Sequence, residues 1–84
     1  MNLYLISQTK NVDYDTYDSA VVAANSEAEA RLTHPSPHEE DKAWTGKVHR
    51  WSSWCDAEFV KVKMIGVASP DIQAGVVCAS FNAG

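Results

Sequence analysis

The sequence predicts an α+β domain: an antiparallel or mixed sheet of four to five strands with one short helix packed on one face. Three observations predict it. Segments of strand character lie both before and after a single, well-punctuated helical stretch. The two segments before the helix are joined by a polar connection rich in Asn and Asp, the residues that favour turns. The chain has 84 residues, 45% of them apolar, which suits one domain with a thin core and is too apolar for disorder. The domain therefore spans residues 1–84.

The elements follow in chain order. "LYLISQ" (Leu3 to Gln8) is β-rich and forms the first strand. "TKNVDYDT" is a turn-prone link. "YDSAVVAA" (Tyr17 to Ala24) is the second strand, and its near-continuous apolar run predicts burial on both faces and a central place in the sheet. The two strands are expected to pair as a long-looped hairpin. "NSEAEARLTHP" is a helix with Ser26 as N-cap, Glu29 three residues later as the other half of a capping box, and acids in the first turn. Ala28 and Leu32, four apart, are expected to share its buried face. Pro35 disfavours helical backbone at His34 and ends the helix there. "PSPHEEDKAWTG" is loop, "KVHRW" a short strand, and "SSWCDA" an irregular link. "EFVKVKMIGVA" alternates, with Val60, Val62 and Met64 inward and Lys61 and Lys63 outward. "SPDIQAG" is a tight turn or single helical turn opened by Ser69 and Pro70 and closed by Gly75. "VVCASF" is the last strand. Its Val77, Ala79 and Phe81 form an apolar set expected to face the interior, with Phe81 as an anchor of the core.

Charge narrows the function. The net charge is −4, and it is uneven: residues 1–42 hold eight acids and three bases, residues 43–84 three acids and four bases. An acidic first half argues against direct nucleic-acid binding through a phosphate-neutralising face. It suits a basic protein partner approached by electrostatic steering. The longest apolar run, "AVVAA", is far short of the ~20 residues of a membrane span. The first ten residues lack the pattern of a signal peptide, so a cytosolic protein with Cys55 and Cys78 as reduced thiols is expected.

No catalytic, cofactor or metal site is expected. Asn11, Asp13 and Asp15 alternate as in a calcium loop, but Thr16 and Val22 stand where that loop needs Gly and an acid. His34, His38, His49 and Cys55 are zinc ligands by type, but their spacing matches no common finger. Cys55 near His49 is a thin candidate for nucleophilic chemistry, with no base or oxyanion site legible around it. The residues that fit partner binding are the tyrosines set among acids (Asp13, Tyr14, Asp15, Tyr17 and Asp18) and the Trp/Arg cluster of Trp44, Arg50, Trp51 and Trp54. Trp and Arg are enriched at binding hot spots. Tryptophans also fill cores, and at least two of the three are expected to be mainly structural.

The strings "YDTYDSAVVAA", "SEAEAR…HPS" and "IGVAS…GVVCASFNAG" resemble a family of short uncharacterised proteins of tailed bacteriophages. The resemblance covers most of the chain and is weakest over residues 39–57. A looser architectural likeness links an immediate strand, a second strand and an acid-capped helix to small anti-CRISPR proteins. These likenesses transfer no catalytic residue. They imply a non-enzymatic phage accessory protein that acts in the host cytoplasm by binding a host factor, with inhibition of a defence complex as one form. An oligomeric sponge for a small anionic signalling ligand, held by Arg50, Lys61 and Lys63, is the second class. A virion component is the third.

Overall fold

The computed structural model describes residues 1–12, 14–38, 41–42, 44–47 and 53–83. Four strands form one antiparallel sheet: β1 (Asn2–Ser7), β2 (Thr16–Ala24), β3 (Lys61–Val67) and β4 (Gly75–Asn82), in the order β3-β1-β2-β4. The described residues also include one α-helix, α1 (Glu27–Arg31), and a 3-10 turn over Ala57–Phe59. The chain is thus α+β, with the helix on one face of the sheet. Residues 48–51, which hold most of the expected "KVHRW" strand, lie outside the described residues.

β1 and β2 pair as the expected hairpin and occupy the centre of the sheet. Their long connection is held from below by Gln8, which is 2% exposed. The Gln8 side-chain amide donates to the carbonyls of Asn11 (2.7 Å) and Tyr17 (2.8 Å) and accepts from the Asn11 N–H (2.7 Å). Asn11 in turn donates to the Trp54 carbonyl at 2.9 Å. A buried amide with its partners satisfied fixes the loop without leaving a costly unpaired group. Asp15 takes a left-handed backbone (φ 60°), which Asp tolerates better than most residues.

Helix α1 begins where its cap predicts. The Ser26 hydroxyl accepts from the Glu29 N–H at 3.1 Å, and the Glu29 carboxylate accepts from the Asn25 N–H at 3.0 Å, one residue before the usual capping-box target. The helix is only five residues long and closes at Leu32, short of Pro35. The expected Ala28/Leu32 face is therefore corrected: Ala30 is buried, Ala28 is exposed, and Leu32 is 53% exposed. So short a helix cannot stand without packing. Arg31 supplies a tie, its guanidinium donating to the carbonyls of Ala57 and Val60 at the entrance to β3 and lying 3.6 Å from Glu27.

The core sits between the sheet and this helical side. It comprises Tyr4 and Ile6 of β1, Ala20, Val22 and Ala24 of β2, Ala30 of α1, and Trp54, Cys55 and Val60. Two further expectations fail at the sheet edges. Met64 is 53% exposed, and Phe81 and Val77 are 47% and 46% exposed. β3 and β4 are both edge strands, each with an extra residue in its ladder, at Ile65 and at Val77. Met64 and Phe81 still face the helical side, opposite Tyr4 and Tyr17, and are exposed because an edge strand lacks a neighbour on one flank, whereas Val77 is itself the extra residue of its bulge. The seven residues 68–74 carry the chain from one edge to the other across the end of the sheet, with a tight turn in which the Ile72 N–H donates to the Ser69 carbonyl at 3.0 Å. β4 starts at Gly75 with φ +127°, a conformation that only glycine adopts without strain.

Candidate interaction surface

The two central strands are apolar on both faces, and the helical side covers only one of them. Register assigns the other face three cross-strand rows. The first is Gly66, Leu3, Ala23, Gly75; the second Lys63, Leu5, Val21, Cys78; the third Lys61, Ser7, Ser19, Ser80. Tyr4, Ile6, Ala20 and Val22, which alternate with these positions, all belong to the core cluster on the helical side. Leu3, Leu5 and Val21 remain partly exposed, and Cys78, Lys61 and Lys63 are exposed. A Cβ built on Gly66 or Gly75 would meet nothing within 4 Å. The open face is thus shallow, apolar at its centre, and fringed on the β3 side by two lysines with no carboxylate in the three rows. An antiparallel sheet with one solvated face normally carries polar residues there. Leu3, Leu5 and Val21 in the middle of this one depart from that pattern, while Ala23 in the first row is 1% exposed and is not part of the open area.

The acidic residues read from the sequence project elsewhere, around the β1–β2 connection. Tyr14 is 75% exposed, and Asp15 and Asp18 are exposed beside it. Asp18 is the extra residue of a bulge in β2. Tyr17 turns back onto Phe81 of β4, with ring centroids 4.8 Å apart, so its ring supports the sheet more than it offers a free surface. Asp13 lies outside the described residues.

The tryptophans divide. Trp54 is fully buried, which corrects its place among the partner contacts: its indole fills the core beneath the helix. Trp44 is partly buried against the same cluster. Arg50 and Trp51 lie outside the described residues. Between Trp44 and Trp54 sits His34, its side chain only 4% exposed. Its Nδ1 accepts from the Ser36 N–H at 3.0 Å, its Nε2 lies 3.9 Å from the Asp41 carboxylate, and its ring meets the Trp44 ring edge-on at 5.6 Å. A neutral imidazole with an accepting Nδ1 carries its proton on Nε2, toward Asp41. His34, Ser36, Asp41 and Trp44 border a cleft of about 370 Å³ that also takes in Thr33, Lys42 and Val76.

The chemistry expected of a nucleophile is absent at Cys55. Burial, with the Asp56 carboxylate beside it, pushes its pKa up to about 11, the reverse of what thiolate catalysis needs. Among the described residues no three His, Cys, Asp or Glu side chains gather as metal ligands, and His49 lies outside them. No helix among the described residues is long and apolar enough to cross a membrane.

The open face was half legible. The run "AVVAA" signalled burial on both faces, but only the register reveals which residues share the uncovered side. Its lysines were read as a wet face of one strand, without the neighbours that make them the rim of an apolar patch. Compared with known proteins, the chain matches no family model, no curated protein and no solved structure.

Proposed function

We propose that this protein is a non-enzymatic bacteriophage accessory protein that acts in the host cytoplasm by binding a host protein, as an anti-defence inhibitor of the anti-CRISPR kind. The observation that carries the binding reading is the open sheet face, where Leu3, Leu5 and Val21 stay partly exposed at the centre of the sheet with Lys61 and Lys63 beside them. An apolar patch with a polar rim is the usual form of a protein-binding surface. The phage setting rests on the resemblance of the sequence strings. The test is capture from host lysate with tagged protein, read by mass spectrometry, in parallel with a Lys61→Glu/Lys63→Glu variant. A partner held by the wild type and lost by the folded variant supports the reading. Equal capture by both would move the binding surface elsewhere.

The sponge reading draws on one specific feature. Lys61, Ser7, Ser19 and Ser80 share a row, with Lys63 in the next, and ammonium and hydroxyl groups together suit phosphate oxygens. Calorimetric titration with a panel of signalling nucleotides separates the two. Saturable binding of a nucleotide, in the absence of any captured protein, favours the sponge.

A further inference from the structure

The two edges of the sheet are guarded differently. An edge strand presents a row of unpaired backbone N–H and C=O groups, and native proteins blunt such edges with charges, prolines, bulges or covering segments. β3 carries Lys61 and Lys63 and an extra residue at Ile65. β4, "GVVCASFN", carries no charged residue and no proline, and seven of its eight residues are exposed. Its bulge at Val77 leaves Cys78–Asn82 as an uninterrupted stretch of strand. Among the described residues its only neighbour in the sheet is β2.

We propose that two copies of this chain pair through the outer edges of β4, antiparallel about a two-fold axis, and so extend the sheet from four strands to eight. A second copy is the occupant the strand fits. A strand meeting its own copy about a two-fold axis makes an isologous contact, which closes at two. Because β4 is uncharged, the pairing sets no like charges opposite one another, the arrangement that destabilises cross-strand pairs. β3, with its lysines, would oppose them to their own copies. One open edge and one guarded edge per molecule give a closed dimer rather than a fibre. The pairing also joins the two open faces: Gly75, Cys78 and Ser80 end their rows on β4, so each row would run on into its counterpart. The dimer stands independently of the host-partner reading, which concerns the face and its β3 rim.

Cys78 and Ser80 hold on β4 the row positions that Lys63 and Lys61 hold on β3. Ser80→Lys therefore transfers the guard from one edge to the other while leaving Cys78 as a probe. Sedimentation equilibrium of the full chain across a wide concentration series should show the wild type passing from one to two copies. The rate of Cys78 alkylation by a maleimide should fall severalfold over the same series, with buried Cys55 unreactive throughout. Ser80→Lys should stay monomeric, with an unchanged circular dichroism spectrum and a Cys78 rate independent of concentration. Lys61→Glu/Lys63→Glu, which leaves β4 intact, should still dimerise even if it loses a host partner, so the two readings fail separately. A wild type that remains monomeric, open-ended assembly, or a Ser80→Lys protein that still dimerises would overturn the proposal. So would a β4 edge that takes up only a foreign extended peptide. Should Ser80→Lys fail to fold, the wild-type mass and alkylation series decide alone.

Discussion

The two faces of the sheet are built from alternate residues of the same two central strands, yet they meet different surroundings. On one side Tyr4, Ile6, Ala20 and Val22 are buried beneath Trp54, Ala30 and Val60. On the other, Leu3, Leu5 and Val21 have apolar character close to that of the covered set and no helix above them. What separates the faces is coverage. Among the described residues there is one α-helix, it is five residues long, and the irregular segment carrying Trp54 and Cys55 joins it on the same side. The comparison teaches that apolar composition alone does not identify a core. A face that is apolar but uncovered is where a small domain can offer binding area at little cost in folding stability, because its stability resides on the opposite side.

Substitutions on the two sides should therefore behave differently. The largest effect belongs to Trp54→Ala, which removes the largest fully buried side chain. It should cost about 3–5 kcal/mol, enough to abolish cooperative unfolding in a domain whose whole stability is of order 5–15 kcal/mol. A thermal melt within a few degrees of the wild type would mean that the covered side is not the stabilising one. Next come neighbours on opposite faces. Ile6→Ala should cost about 2–5 kcal/mol. Leu5→Ala should cost roughly 1 kcal/mol, since a partly exposed side chain keeps only part of its burial free energy. Urea titrations of the pair test this directly, and equal losses would mean that the open face is covered in the isolated chain.

Cys55 gives the covered side a pH signature. Its folded pKa, about 11, lies above the ordinary thiol value of 9.0. Below pH 9 both folded and unfolded chains hold the proton, and no stability is lost. Above pH 9 the unfolded chain releases it first, so stability falls as pH rises toward 11, by roughly 2–3 kcal/mol at the limit. Cys55→Ala should flatten that part of the profile relative to the wild type. Unchanged slopes between pH 9 and 11 would mean that the thiol is not buried as described. The smallest effect on the covered side is at the helix start, where Ser26→Ala should cost about 0.5–2 kcal/mol. A melt showing no loss would detach the helix from its cap.

The sequence was most legible where structure is local. Ser26 and its bond to Glu29, the hairpin of the first two strands, the turn at Ser69 and the start of β4 at Gly75 all depend on residues a few positions apart. Features set by distant partners were not legible. The order of strands puts β4 at an edge, and nothing in the alternation of "GVVCASF" distinguishes an edge from a centre, so Phe81 was expected inside. The bulges at Ile65 and Val77 shift parity only once a partner strand is in place. The roles of Gln8, Asn11 and Arg31 rest on carbonyls of Tyr17, Trp54 and Val60, far along the chain in most cases. The proposed binding surface was partly legible for the same reason: the acidic loop is a run of neighbours, while the open face exists only as rows across four strands.

The central claim, that the open face is the surface this protein offers to its partner, is tested most directly by residue-resolved hydroxyl-radical footprinting of the free chain and of the complex recovered with a captured host protein. Leu3, Leu5 and Val21 should be labelled in the free chain and protected in the complex. Ile6 and Val22, buried on the covered side in both states, should stay silent. Protection confined to the Tyr14–Asp18 loop or to the cleft beside His34, with Leu5 and Val21 labelled at their free rate, would contradict the claim.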